Sequence, residues 1–321
     1  MTARQRAEGQ GGWGPTGRVA VVLAFATALL ATAPAAASPV EGVVVHGETG
    51  RPVAGVEVRV VGMEPGKPPV EVVSRTDRGG RFRARLQPVR RTYVVQATFD
   101  GVTYTSGPYP ASVALSAVTL RVFDATREPP ALRISRRALL LDREGPWFVV
   151  REVTVVHNPS LRTYVGGASG AGTWRVPLLR GAQDVRVVRG MVPTGVDPDG
   201  ALVDTLPVQP GERAAVVMYR VRARGPSLLE LPTGLATESL DVFVPEPLRV
   251  RSEVLRLREV RQVEGMRVAW LQARGLPPDA VVPLGLEGVP QEPRGASLLL
   301  AALLAVGSAT FVAWPWLARR G

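Results

Sequence analysis

Apolar and polar residues alternate with a period of two along most of the chain between residues 40 and 287. Val56, Val58 and Val60, for example, are separated by Glu57 and Arg59. Successive side chains of an extended strand point to opposite faces, so this period predicts half-buried β-strands. Before residue 125 it predicts about seven strands, near residues 43–45, 56–60, 70–74, 81–86, 93–98, 103–109 and 118–122.

Longer alternating segments follow a proline-containing connector at residues 124–132. Segments 147–157 and 213–224 are each long enough for a strand of about ten residues. Shorter strands are predicted at 132–141, 174–178, 185–189, 201–206, 240–244, 254–260, 266–272 and 281–286. Only 254–263 is ambiguous between strand and helix. Glycine, proline and aspartate turns separate the segments, which favours a second, larger antiparallel sandwich of Ig-like type.

The amino-terminal end departs from this alternation. An apolar run at residues 19–30 follows basic residues and precedes the small residues Ala35 and Ala37. This order is typical of a secretory signal peptide, and we expect cleavage after Ala37. An uncleaved anchor helix is the alternative, and either version exports the chain that follows.

The carboxyl-terminal end carries no charge from residue 296 to residue 318. At ~1.5 Å per residue, a helix of this length crosses the hydrocarbon core of a bilayer. Trp314 and Trp316 suit the membrane interface, and Arg319 and Arg320 suit the cytoplasmic side. A processed sorting signal is the alternative, but the preceding residues match no such motif well. A single-pass anchor is therefore expected.

These patterns predict an all-β protein made of two tandem β-sandwiches and a C-terminal transmembrane helix. The segments are a signal peptide at 1–37, a first sandwich at 38–125, a linker at 126–131, a second sandwich at 132–288, a linker at 289–295, the transmembrane helix at 296–318 and a cytoplasmic stub at 319–321. The body of the chain is then extracytoplasmic, either periplasmic or on the cell surface.

Composition narrows the class of partner. The chain has 39 basic and 28 acidic residues, a net charge of +11 and no cysteine. Without cysteine an exported chain has no disulfides, so its cores alone must hold it together. The basic excess is spread over both predicted sandwiches, and an export signal argues against nucleic acid as the partner. An anionic membrane or an envelope polymer fits a mildly basic exterior better.

One stretch, SRTDRGGRFRARL at residues 74–86, concentrates this charge around a Gly-Gly pair. Three apolar residues alternate here with three arginines, which predicts a strand with the arginines on its solvent face. Asp77 to Gly80 then forms the preceding turn. A Walker-type phosphate loop would need Gly-Lys-Ser/Thr opening a helix. The alternative to a merely solvated face is an anion-binding or partner-binding patch formed by Arg75, Arg78, Arg81, Arg83, Arg85, Arg90 and Arg91.

Around this stretch the chain resembles a known family. The matching residues are Gly42-x-Val44, Thr49-Gly50-x-Pro52-Val53-Ala54-Gly55-Val56-x-Val58-x-Val60, Thr76-Asp77-x-x-Gly80-x-Phe82 and Leu86-x-Pro88. They resemble the carboxypeptidase regulatory-like domain over residues 40–124. The resemblance implies a transthyretin-like β-sandwich. Related sandwiches serve as carbohydrate-binding or cell-surface modules, so it also implies that sugar binding is one function open to this part of the chain.

Catalytic motifs are scarce. His46 and His157 are the two histidines, one in each predicted sandwich, and no zinc-binding set accompanies them. The glycine-rich run at 164–172 lacks a Gly-x-Ser-x-Gly elbow. Asp197-x-Asp199-Gly200 lacks the remaining ligands of a calcium loop and reads better as a turn. We expect no catalytic residues, metal or cofactor.

The function expected from the sequence is a membrane-anchored, non-catalytic binding or assembly protein of the cell envelope. Its partner would be an envelope protein or an envelope polysaccharide. An accessory subunit of a membrane enzyme or transport complex is the first alternative. A hydrolase that uses dispersed carboxylates is the second, because spacing alone selects no carboxylate pair.

Overall fold

The structure is a computed structural model that describes residues 38–86, 92–110, 115–167, 172–222, 227–263 and 265–287. All regular elements in these residues are β-strands, which confirms the all-β prediction. The predicted signal peptide, the transmembrane helix and the cytoplasmic stub lie outside the described residues. Among those described, no helix is long and apolar enough to cross a membrane.

The first seven strands enclose a hydrophobic core of their own. They are β1 (Ser38–His46), β2 (Glu57–Met63), β3 (Val70–Arg75), β4 (Arg81–Leu86), β5 (Thr92–Phe99), β6 (Val102–Pro110) and β7 (Leu115–Val122). One sheet has the order β4-β1-β7 and the other β3-β2-β5-β6. Val44 from the first sheet and Val58 from the second are fully buried in the same cluster. The two sheets therefore cover one another's apolar faces.

The remaining strands include those that build a second and larger core. They are β8 (Ala125–Thr126), β9 (Arg133–Glu144), β10 (Trp147–Asn158), β11 (Thr163–Tyr164), β12 (Trp174–Pro177), β13 (Gln183–Arg189), β14 (Pro193–Val196), β15 (Ala201–Asp204), β16 (Gly211–Arg222), β17 (Ser227–Pro232), β18 (Thr237–Pro245), β19 (Arg249–Arg251), β20 (Arg256–Val263), β21 (Met266–Leu276) and β22 (Val281–Glu287). The segment that was ambiguous between helix and strand is β20.

A seven-stranded sheet, β13-β16-β10-β9-β18-β21-β20, forms one side of this core. Two three-stranded sheets, β12-β15-β14 and β17-β22-β19, contribute buried residues to the same cluster. The large sheet differs from the expected antiparallel arrangement because β9 and β18 pair in parallel. Many residues separate these two strands, which gives the chain the length that a parallel connection needs.

The two cores are joined at the end of β7. β8 pairs in parallel with β11, so Ala125 lies opposite Thr163. The Tyr104 hydroxyl, on β6, donates to the carbonyl oxygen of Phe123 at 2.7 Å and lies 2.8 Å from the Thr163 hydroxyl. Thr163 is fully buried. The buried side-chain bond thus links β6 of the first core to β11. Ala125 of β8 packs against the first core and Tyr164 of β11 lies in the larger one, so the backbone pairing also joins the two cores.

We predict that Gly42→Ala destabilises the first core. A Cβ atom on Gly42 would lie 2.2 Å from the carbonyl oxygen of Val118 and 2.6 Å from the ring of Phe82. Overpacking of this kind costs about 1–3 kcal/mol of unfolding free energy. Chemical denaturation measures the loss. Gly79→Ala is the control, since its Cβ would meet only Asp77 Oδ1 at 3.4 Å. Equal effects of the two substitutions would contradict the proposed close packing of β1.

Candidate functional site

The arginines of β4 lie on the outer face of the three-stranded sheet. Phe82 and Ala84 are buried in the first core, whereas Arg81, Arg83 and Arg85 between and beside them are exposed. The alternation predicted from the sequence is therefore confirmed. Alternate residues of an antiparallel strand are about 7 Å apart. The Cα atoms of the three arginines therefore lie in a row along β4.

The preceding turn follows the predicted chemistry. Asp77 Oδ1 accepts hydrogen bonds from the backbone N–H groups of Gly79 and Arg81, both at 2.8 Å. Gly80 has a φ angle of +69°, a conformation that glycine adopts without strain. The carbonyl of Val44 would lie 2.6 Å from a Cβ at this position. The turn thus brings β4 tightly against β1 and fixes where the row of arginines begins.

The three arginines lie opposite different kinds of residue on the neighbouring strand β1. Arg83 lies opposite Glu41 of β1, and its Nε is 2.7 Å from Glu41 Oε1. Arg81 lies opposite Val43, and Arg85 lies opposite Pro39. In the part of the chain that the structure describes, neither Arg81 nor Arg85 forms an ion pair. One member of the row is therefore neutralised and two are not.

The structure separates the other members of the predicted patch from this row. Arg75, on β3 of the other sheet, has its Nη2 3.8 Å from Glu57 Oε2, and its Nη1 donates to the carbonyl of Gly55 at 3.3 Å. Arg78 is exposed in the turn. Arg90 and Arg91 lie outside the described residues.

Sequence reasoning missed Arg121. It is exposed on β7, and the parallel pairing of β7 with β1 places it opposite Val45, on the same outer face as Arg81. The alternation around it is the only signal that the sequence contains. We call the outer side chains of Arg81, Arg83, Arg85 and Arg121, together with Glu41, the arginine face.

A shallow hollow of about 420 Å³ lies at the Arg121 end of this face. It is lined by Val45, His46, Gly47, Glu48, Thr49, Gly50, Thr119 and Arg121. His46 Nε2 is 3.3 Å from Asp124 Oδ1, and its Nδ1 accepts the backbone N–H of Thr49 at 3.4 Å. Both ring nitrogens are engaged within the fold. This histidine therefore holds the β1–β2 turn in place instead of offering a free base.

A buried ion pair occupies the larger core. Arg137 is 1% exposed and Glu152 is fully buried, and Arg137 Nε donates to Glu152 Oε1 at 2.8 Å. Arg137 Nη1 also donates to the carbonyl of Pro232 at 2.6 Å, and Nη2 donates to the carbonyl of Pro177. Burying two charges is costly unless their remaining hydrogen-bonding groups are satisfied. Here the guanidinium satisfies carbonyls at the ends of two other strands.

Two hydroxyl groups complete this network. Thr154 Oγ1 donates to Glu152 Oε1 at 2.9 Å, and the Tyr219 hydroxyl donates to Glu152 Oε2 at 2.9 Å. Burial raises the pKa of Tyr219 well above its usual value, and the negative charge of Glu152 raises it further. Every oxygen of Glu152 is thus bonded inside the core. The network stabilises packing and leaves no group facing solvent for chemistry.

The aspartates of the predicted 197–200 turn are also engaged. Asp197 Oδ1 accepts the backbone N–H groups of Asp199 and Ala201, and Arg175 bonds both carboxylates. Although burial alone would raise it, the pKa of Asp197 is lowered by the Ala201 amide and the Arg175 guanidinium. A turn held by an arginine confirms the turn prediction. Among the side chains that the structure describes, no group of three metal-ligating residues occurs.

Comparison with known proteins adds little. No protein-family model matches the sequence, and no curated protein matches it. The M1 zinc metallopeptidase from Deinococcus radiodurans is a structural neighbour with 11% identity and a TM-score of 0.32, covering 49% of this chain and 42% of that chain. A mutant of an M1 zinc metallopeptidase bound to L-arginine has 13% identity, a TM-score of 0.30 and coverages of 48% and 42%. This chain thus spans less than half of these neighbours, and similarity at this level carries no argument about fold or activity.

We predict that Glu152→Gln destabilises the larger core by about 3–5 kcal/mol of unfolding free energy, because it leaves Arg137 buried without a countercharge. Chemical denaturation measures the change. Glu238→Gln is the matched control, since Glu238 pairs with Arg133 at the exposed surface. That change should cost less than about 1 kcal/mol. Similar losses in the two variants would show that the buried pair has no special weight.

Tyr219 predicts a dependence of stability on alkaline pH. An unfolded tyrosine ionises near pH 10, whereas Tyr219 in the fold stays protonated to higher pH. Ionisation therefore favours the unfolded state above about pH 10, where wild-type stability should fall by up to about 1.4 kcal/mol per pH unit more than that of Tyr219→Phe. Urea denaturation between about pH 9 and 11 checks this. Parallel stability curves would refute the buried, protonated tyrosine.

Proposed function

We propose that this protein is a membrane-anchored, extracytoplasmic binding protein of the cell envelope, with no catalytic activity of its own. The proposal includes two tandem β-sandwiches, the first a transthyretin-like module of the carboxypeptidase regulatory-like type and the second Ig-like. An N-terminal signal peptide exports them and a single C-terminal helix anchors them. The apolar runs at residues 19–30 and 296–318 support the placement.

The exposed arginine face is the observation that carries the binding role. It presents four arginines and one glutamate on the outer surface of one sheet. The buried pair of Glu152 and Arg137, by contrast, is satisfied inside the core. Binding of an acidic ligand at an exposed basic surface requires no catalytic group. An envelope polysaccharide or an acidic envelope protein suits such a surface.

Fractionation of intact cells tests the placement. The full-length protein should sediment with membranes, be cut by protease added outside the cytoplasmic membrane, and be released when residues 296–321 are deleted. A cytosolic full-length protein with its leader intact would refute the proposal. Turnover of polysaccharide or peptide by the purified protein, abolished by one carboxylate substitution, would favour the hydrolase alternative.

A second candidate function, an accessory subunit of a membrane complex, is favoured by the open edge of the seven-stranded sheet. Leu257 and Val260 of edge strand β20 are 61% and 42% exposed. On the neighbouring strands, Trp270 lies beside Phe243 with ring centroids 6.1 Å apart, and Arg261 lies 5.3 Å from the Trp270 ring. An edge strand with exposed apolar side chains can pair with a strand of a partner protein.

Co-purification from solubilised membranes tests this second function. If β20 docks a partner subunit, Leu257→Glu should abolish recovery of a stoichiometric complex because it places a charge in the interface. Leu161→Glu is the control, since Leu161 is 53% exposed outside the seven-stranded sheet. Loss of the complex in both variants, or in neither, would argue against docking at β20.

A further inference from the structure

The row of arginines on β4 has a regular spacing that a compact ligand would not need. Arg81, Arg83 and Arg85 follow one another at intervals of about 7 Å on one face of one strand. All three are exposed. A ligand that contacts the whole row must itself be extended and must carry repeated negative groups.

The charge balance of the face favours an anionic ligand. Glu41 is its one carboxylate and is already held by Arg83. Arg121 adds a further positive charge across the sheet, beside the hollow at the β1–β2 turn, whose lining also includes Glu48. The guanidinium group is planar and carries several donors, so it suits carboxylate, sulfate or phosphate groups.

We propose that a linear anionic polysaccharide binds along β4, with its acidic groups on Arg81 and Arg85 and its chain continuing toward Arg121. This inference rests on the proposed role as an envelope-binding protein and names the class of ligand and its site. Glu41 competes with the polysaccharide for Arg83. The two arginines opposite Val43 and Pro39 therefore contribute most to binding.

Other polyanions suit the face less well. The strongly exposed large apolar side chains among the described residues include none from β1, β4 or β7, so the face has nothing to insert into a lipid surface. Phe82, the aromatic residue of β4, is 4% exposed and points into the core. Single-stranded nucleic acids are usually bound by exposed aromatic side chains on which bases stack. A sugar polymer with regularly repeated acidic groups needs neither feature.

Binding of a polyuronate long enough to span β4 tests the proposal, using the full-length protein in detergent. We expect affinity to fall linearly with salt concentration on logarithmic axes, as for other polyelectrolytes. Arg81→Gln and Arg85→Gln should each weaken binding by up to about fivefold. Arg83→Gln should weaken it less. Glu41→Gln should tighten it, because it releases Arg83.

Arg59→Gln is the matched control. Arg59 lies on β2 of the other sheet, pairs with Glu57 and Glu71, and its replacement removes the same single charge. Equal weakening by Arg59→Gln and Arg85→Gln would show that only net charge matters and would overturn the site. Looser binding by Glu41→Gln would also overturn it.

Two further probes separate this inference from the proposed function. Stronger binding to phosphatidylglycerol vesicles than to polyuronate, lost in Arg85→Gln, would replace the polysaccharide with a lipid surface. Failure of the wild-type protein to bind polyuronate would refute the inference. The cell fractionation described above would still decide the envelope location. Conversely, a cytosolic protein that bound polyuronate through Arg81 and Arg85 would keep the site and lose the envelope role.

Discussion

The hydrogen bonds of Arg137 are the interaction on which the packing of the larger core depends. Arg137 belongs to β9 in the seven-stranded sheet, and it donates to the last carbonyls of β12 and β17, at Pro177 and Pro232. These strands belong to the two separate covering sheets. Because a guanidinium carries five donors in a fixed plane, one side chain can bind three sheets at once. Glu152 supplies the countercharge without which this burial would not be tolerated.

The buried carboxylates of the larger core differ from the exposed arginine face in how far they are hydrogen-bonded. Carboxylates such as Glu152 and Asp204 are buried with their oxygens bonded to arginine, tyrosine, tryptophan or backbone groups. Such groups maintain the shape of the core, and their satisfied state makes them poor acids, bases or ligands for anything arriving from solvent. The arginine face is different, because Arg81 and Arg85 point away from the core and lie opposite uncharged residues. The proposed binding role is assigned to this face for that reason.

The junction between the cores matters for how such a surface would be presented. Tyr104 comes from the first core and Thr163 from the segment that follows β10, yet their hydroxyl groups lie 2.8 Å apart. The backbone pairing of β8 with β11 continues the same contact, and Gln209 Nε2 reaches the carbonyl of Thr103 at 3.4 Å. Hydrogen bonds as well as the covalent connector therefore join the two cores.

The amino-acid sequence alone determined that the protein is built of β-strands and which face of most strands is buried. This is possible because alternate side chains of a strand point to one of only two faces. The outward arginines of β4 and the long strands β10 and β16 follow from it directly. Three other strands were not predicted: β19 has too few residues to show a period, β14 has no alternation of apolar and polar residues, and the adjacent Leu228 and Leu229 interrupt the alternation of β17. Arg137 is in period two with the buried Leu139 and Leu141, so its inward direction follows from the alternation of β9. The register shift between Arg136 and Ile134 brings Ile134 onto the same face. What could not be foreseen is the set of partners of Arg137, because Pro177 and Pro232 are far away in the sequence. Tertiary pairing likewise decided that Arg83 faces Glu41 while Arg81 and Arg85 do not, since register between distant strands is set by the whole core.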